Sequence, residues 1–251
     1  MTLRHPSTGV ASMGMYTFPE VRWAFNQIWA GVAARLDWVP RSLDWEADLH
    51  ASWTDDALVV GHTCGWPLVT ALYDRVRVLG TFAATVPEAD GPRYRSVLVA
   101  RRLAEPPTFA GSVAAVNGPD SLSGWISLRA AVHGAGATWD GEVRWTGAHV
   151  ESLCAVRDGL ADVASIDSVT LGFVRLHRPE LLEGIVEIGE GPSVPSLPLV
   201  THRDASDDEV AWLREAIAAS VAASPEAAVA ALIREFVPLD LADYLPLRSL
   251  A

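Results

Sequence analysis

Residues 117–125 read NGPDSLSGW, between an apolar stretch, SVAAV, and a helix-like segment, ISLRAAVHGAG. An acid, two serines and a glycine at the start of a helix suit two different chemistries. In the first, Asp120 or Ser121 caps the helix, because short polar side chains accept the orphan N–H groups of a first turn. In the second, those N–H groups, the positive end of the helix dipole and the hydroxyls of Ser121 and Ser123 cradle an oxyanion. Gly124 would then let a ligand come close to the backbone, with Trp125 at the end of the motif.

Similar junctions occur elsewhere. Thr146-Gly147-Ala148-His149 places a histidine in the first turn of another helix, where it can donate to an oxyanion or simply pack. His62-Thr63-Cys64-Gly65-Trp66-Pro67 is a third strand-to-helix junction. There Cys64 is either a small packed residue or a thiol activated by a base and a helix dipole. Trp66 is either a lid or core. Asp167 ends the apolar run ADVASID, where α/β sheets place ligands, and it also suits the cap of the helix that follows. Tyr16, at the end of the first apolar run, has the same two readings.

The absences narrow the chemistry. All 19 basic residues are arginine, which excludes a lysine Schiff base and a Walker-type lysine. Two cysteines, Cys64 and Cys154, are too few for a disulfide framework or a zinc site. No His/Cys/Asp cluster has metal spacing, and neither a G-x-S-x-G, an H-E-x-x-H nor a dinucleotide fingerprint occurs. No cofactor or metal is expected. The net charge of −12 gives no basic field for nucleic acid or anionic membrane, so a bound anion needs a local site of dipoles and hydroxyls. No stretch approaches the ~18 apolar residues of a membrane span, so no membrane insertion is expected. The N-terminus lacks a signal-peptide pattern. The chain as written is therefore expected in the cytoplasm, or in the periplasm or outside the cell if a signal has been removed.

The elements that must position these residues follow from periodicity. Val10–Tyr16, Ala57–His62, Arg75–Gly80, Tyr94–Arg101, SVAAVN, GEVRWTG, ADVASID and IVEIG read as strands. Between them, PEVRWAFNQIWAGVAARL opens at Pro19 with Val21, Phe25, Ile28, Trp29, Val32 and Leu36 at helical spacing. In HVESLCAVRDGL, Val150, Leu153, Val156 and Leu160 line one face. Ser206 and Glu209 make a capping box, Ser224-Pro225 opens a further helix, and the C-terminal part reads as helical. Alternating strands and helices predict an α/β fold with mostly parallel strands.

Taken in order, these segments resemble a known family. AVNGPDSLSGWISLRAAV resembles the A-V-N-x-P-x-S-x-S-G segment of phosphonate/phosphate-type substrate-binding proteins of ABC importers. TGAHVESLCAVRDGLADVASIDSV resembles that family's G-S-H segment with its following V-x-x-G-x-A-D and aspartate, and GPSVPSLPLVTHR its P-x-x-P-x-L-P return. MYTFPEVRWAFNQIWAGV and TCGWPLVTAL fit a subgroup. The resemblance implies a type II periplasmic-binding-protein fold: two α/β lobes, residues 1–93 plus 200–251 and residues 94–199, with hinge segments near 94–101 and 197–203 and a ligand cleft between the lobes. It implies that Ser121, Ser123 and the N–H groups near Gly124 hold a phosphate-like group, that His149 closes on it, and that Asp167 faces the ligand's other end, where the family's aspartate can meet an amine. Tyr16, Thr63, Cys64 and Trp66 would come from the first lobe. Leu122 stands where the family has a hydroxyl residue, and Ala148 where it has a serine, so two donors are lost. The implied function is a binding protein for a small anionic or zwitterionic ligand that closes by hinge motion, with an importer permease as partner. The alternative is a lysine-independent biosynthetic enzyme on the same fold, with His149, Asp167 and Cys64 as its candidate groups. A sensing protein is a third reading.

Overall fold

Each buried apolar run that ends in a polar cap becomes a strand feeding a helix. The computed structural model describes residues 9–250. In chain order it contains β1 (Val10–Ser12), α1 (Arg22–Ala33, entered through a 3-10 turn at Pro19–Val21), α2 (Leu49–Trp53) and β2 (Leu58–His62). Next come α3 (Gly65–Pro67, continued in π geometry by Leu68–Leu72), β3 (Val76–Ala84), β4 (Ala89–Asp90), β5 (Arg93–Tyr94), β6 (Val97–Ala100) and β7 (Ala114–Val116). A π turn, Leu122–Ile126, leads into α4 (Ser127–Gly134), followed by β8 (Val143–Trp145), α5 (His149–Arg157), β9 (Val163–Ile166), α6 (Ser168–His177) and β10 (Val186–Glu190). The chain ends with β11 (Val194–Pro195), β12 (Pro198–His202), α7 (Asp207–Ala223), α8 (Pro225–Ala230), β13 (Ile233–Val237) and α9 (Leu241–Tyr244).

The chain forms two compact units. Unit 1 comprises the described residues up to Thr85 with Pro195–Pro246, and unit 2 comprises Val86–Val194 with Leu247 onward. Val97–Ala100 and Pro198–His202, within the stretches expected to act as hinges, are strands inside the two main sheets.

Unit 1 is built on the sheet β1-β2-β12-β3-β13. Only β1–β2 is parallel; β12, β3 and β13 run antiparallel to their neighbours. Helix α1 buries Phe25, Ile28, Trp29 and Val32 against α7 and α8. The Ser206–Glu209 capping box forms as expected. Ser224 sits at the N-cap of α8 without a side-chain bond, leaving Pro225 to set the entry.

Unit 2 is built on the sheet β10-β6-β9-β7-β8. Strands β9, β7 and β8 are parallel neighbours, whereas β6 and β10 are antiparallel. One face carries a core that includes Leu98, Phe109, Val116, Leu128, Val132 and Val163.

Three expectations are corrected. Most neighbouring strand pairs are antiparallel rather than parallel, because β12 and β13 in unit 1 and β6 in unit 2 run against the other strands of their sheets. The C-terminal part is not wholly helical: IREFV is β13, paired with β3. Leu160 is 54% exposed, because α5 has already ended at Arg157.

Candidate functional site

The parallel strands β9, β7 and β8 deliver the chain to the starts of three helical segments at one edge of the unit 2 sheet. Ser121 is the N-cap of the Leu122–Ile126 turn, and its Oγ accepts from the Gly124 N–H at 2.9 Å. Its carbonyl accepts from the N–H groups of Trp125 and Ile126. The capping reading of the motif is thus realised by Ser121. The cap consumes the Gly124 N–H and leaves the Ser121 hydroxyl proton to donate elsewhere. Gly124 itself is explained by packing, since a Cβ there would overlap the side-chain oxygen of Asn117.

Ser123 carries the most informative geometry. Its Oγ lies 2.8 Å from His149 Nε2, and its carbonyl accepts from Ser165 Oγ at 2.6 Å. Its N–H belongs to the first turn of the Leu122–Ile126 helix, whose N–H groups lack intrahelical partners. Ser123 is buried. His149 is the first residue of α5. The residue keeps partial exposure, yet its Nδ1 is shut off from solvent and has no partner within the protein. Burial pushes the imidazole down to about 4, so the ring is neutral near pH 7. Gly147, at φ +87°, occupies the left-handed region that turns the chain into α5. Thr146 Oγ1 braces this turn, bonding Val116 O and Ala148 O and lying 2.7 Å from Ser152 Oγ.

The other expected residues of unit 2 have structural partners. Asp167, 2% exposed, caps α6 by accepting from the Thr170 N–H at 2.8 Å. The Trp125 ring meets Trp139 and Trp145 edge-on, with Arg129 stacked over it, and packs against the hydrophobic core.

In unit 1, Tyr16 is buried with its ring edge-on to His62 at 5.5 Å. Thr63 is fully buried, and its Oγ1 has no partner within the protein. Cys64, buried and unbonded to the other cysteine, is the N-cap of α3 but makes no side-chain cap. The Trp66 carbonyl accepts from Thr70 Oγ1.

Sequence reasoning brought Ser121, Ser123 and His149 to one edge and did not single out His62, Asn117, Ser165 or Ser168. A histidine closing the apolar strand ALVVGH and a serine inside ADVASID were the available signals. Both are polar groups in buried strands, which need a stated partner.

Among the described residues, no group of His, Cys, Asp or Glu could hold a metal ion, and no helix is long and apolar enough to cross a membrane.

Two α/β units, each with ligand-suited residues at the carboxyl edge of its parallel strands, define the class of two-lobe periplasmic-binding-protein folds. Residues 47–244 match the family described as ABC transporter, phosphonate, periplasmic substrate-binding protein. The chain belongs to that family.

Solved structures agree on the fold. PhnD1 from Prochlorococcus marinus, in complex with methylphosphonate, superposes with a TM-score of 0.74 at 12% identity over 96% of this chain and 94% of that one. A binding protein component of an ABC phosphonate transporter from Pseudomonas aeruginosa gives 0.70 at 16% identity, covering 91% and 81%. A Xanthomonas citri protein bound to chloride ion gives 0.67 at 13% identity, covering 96% and 93%. No curated protein matches the chain.

Proposed function

We propose that this protein binds a small phosphonate- or phosphate-like anion at the Ser121–Ser123–His149 edge of unit 2 and presents it to an ABC importer permease. The Ser123–His149 hydrogen bond, with His149 Nδ1 left over, carries the reading. Ser121 and Ser123 supply hydroxyl donors, the Ser123 N–H a backbone donor, and His149 a fourth group. Asp167 contributes by holding the start of α6, and Trp125 by anchoring α4 to the core. Tyr16, Thr63, Cys64 and Trp66 follow the carboxyl ends of β1 and β2, the corresponding edge of unit 1. A chain of charge −12 repels anions at long range, so affinity must come from these short-range donors. The family's description as periplasmic favours work outside the cytoplasmic membrane.

Neutral His149 gives the site a chemical handle. With its pKa held near 4, the ring takes up a proton when an oxyanion arrives, because the opposite charge favours imidazolium. Both ring nitrogens then donate. Calorimetric titration with methylphosphonate, phosphate and sulfate, repeated in buffers of different ionisation enthalpy, tests this. The expected result is saturable binding with uptake of up to one proton. Absence of any anion binding would refute the site, and binding that survives Ser123→Ala unchanged would move it elsewhere.

A further inference from the structure

A cavity of about 840 Å³ lies wholly within unit 1, between one face of α7 and the end of α1 with the loop that follows it. It sits at the far end of α1 from Tyr16 and so belongs to neither strand edge described above. Its volume is that of a small-molecule pocket. The packing of the two helices explains the space. At Gly31 they touch: a Cβ there would overlap Ser220 Oγ, which donates to Ile28 O. Close to that contact the cavity is floored by Ala33, Ala216 and Ala219, whose methyl groups leave the gap unfilled.

The walls are built in advance of any ligand. The loop after α1 is tied back at three points: Trp29 Nε1 donates to Pro40 O at 2.9 Å, Arg35 Nη1 to Gly31 O at 2.7 Å, and Arg41 Nη1 to Ala33 O at 2.6 Å. On α7, Trp212, Glu215, Ala216 and Ala219 recur at the spacing of a single helix face. Six side chains give the cavity its chemistry: Arg35, Asp37, Trp38, Arg41, Trp212 and Glu215. Their formal charges cancel, two arginines against two carboxylates. Among the described residues no ion pair joins the arginines to the carboxylates. Each arginine spends one N–H on α1 and has others to give.

We infer that this cavity is a second ligand site, separate from the anion site of unit 2, for an uncharged heteroaromatic ring of the nucleobase type, with guanine the best match. The lining sets this class. A ligand of one charge would meet as much repulsion as attraction. Arginines only donate and carboxylates only accept, so a ligand that uses both needs acceptors on one edge and donors on another. The two indoles ask for a flat ring, because bases stack on aromatic side chains. Guanine presents O6 and N7 as an acceptor pair, which an arginine takes bidentately. Its N1–H and N2–H2 form a donor pair that suits a carboxylate in the same way. Adenine carries an amino group beside N7, where guanine has O6, and so offers the arginine no such pair.

The test is calorimetry on the full chain with guanosine and adenosine, together with NMR of the indole N–H signals. It uses the unmodified protein, Trp212→Ala, Trp212→Phe, Glu215→Gln and Ser123→Ala. The expected result is saturable guanosine binding, preferred about tenfold over adenosine, the scale of one bidentate pair. The Trp38 and Trp212 indole signals should move with guanosine. Trp212→Ala should weaken both nucleosides about tenfold or more, and Trp212→Phe, which keeps a ring, should restore most of that loss. Glu215→Gln should erode the preference for guanosine. Trp212 is 37% exposed, so Tm should hold in these variants. Ser123→Ala and saturating methylphosphonate should leave guanosine affinity unchanged, so failure of the unit 2 site does not touch this one. No guanosine binding, or equal affinity for the two nucleosides, overturns the inference. So does loss of guanosine binding in Ser123→Ala, which places the nucleoside at unit 2. Indole signals that move with protein concentration and not with guanosine overturn it too, and make this face a contact between copies of the chain.

Discussion

The carboxyl edges of the two units are built from the same parts and finished differently. In unit 2 the polar side chains hold one another: Ser121 caps Gly124, Ser123 reaches His149, Ser165 reaches the Ser123 carbonyl, and Asp167 caps Thr170. In unit 1 the ring of His62 meets those of Tyr16 and Phe82 edge-on, and no such chain of side-chain bonds links Ser12, His62 and Thr63; each keeps a buried polar atom unpaired, as Asn117, His149 and Ser168 do in unit 2. A linked network holds its donors in place before a ligand arrives, which is how a site binds a charged group without reorganisation. Unpaired groups penalise the ligand-free protein and reward a ligand that matches them.

The largest expected effect concerns two histidines of depressed pKa, one on each edge. His62 and His149 are both depressed to about 4 from an ordinary value of 6.5. A depressed histidine binds its proton more readily in the unfolded chain, so stability rises with pH through this window. It is complete above about pH 6.5 and is lost progressively as pH falls toward 4. For the fully buried His62 the loss reaches roughly 3 kcal/mol; for the partly exposed His149 it is smaller. Denaturation at pH 7.5, 5.5 and 4.5 measures this. In His62→Phe the slope should fall by more than half, and an unchanged slope would mean that His62 is not buried neutral.

Ligand affinity comes next. Ser123→Ala removes a donor to a charged ligand and frees His149 Nε2, with an expected loss of 1.5–3 kcal/mol, or about 10- to 100-fold. Sulfate is the cleanest probe, because its charge is constant between pH 5 and 8. Its affinity should fall as pH rises through the ligand-bound pKa of His149, and the fall should vanish in His149→Phe. If Ser123→Ala leaves sulfate affinity unchanged, the anion does not rest on the Ser123–His149 pair.

Gly124→Ala probes the unit 2 network without touching a donor. The added methyl meets the Asn117 side chain, and overpacking of this kind costs about 1–3 kcal/mol. Asn117→Ala should relieve most of that cost. Near-additive losses in the double variant, read from urea denaturation, would show that the glycine serves something other than Asn117.

The uneven legibility of the chain follows the same division. Local chemistry was readable: the cap at Ser121, the box at Ser206 and the turn before His149 are short-range patterns between residues a few positions apart. The family pattern supplied the order of the segments. Strand direction was not readable, because β12 and β13 take theirs from β3, which lies more than 100 residues earlier. IREFV was lost among helices for that reason: its register partners, Thr81 to Ala84, are distant in sequence. Leu160 was misplaced because periodicity was carried past the Gly159 turn at φ +74°. His62 escaped notice as a site residue because only the fold shows that its Nδ1 has no partner.

The smallest expected effect separates the two chemistries of NGPDSLSGW. Ser121 accepts from the Gly124 N–H and still has a proton to give, so it can cap and cradle at once. Ser121→Ala removes both functions, lowering stability by about 1 kcal/mol through the lost cap and weakening sulfate binding. Ser121→Asp keeps the cap, since aspartate serves as well as serine at that position, but sets a carboxylate where the anion should rest. Its stability should match the unmodified protein within a few tenths of a kcal/mol, while sulfate binding falls further than in Ser121→Ala. If the aspartate variant is stable and still binds sulfate normally, Ser121 is a cap alone. The oxyanion is then held by Ser123 and His149, and the unit 2 edge has one donor fewer than the comparison of the two units assumes.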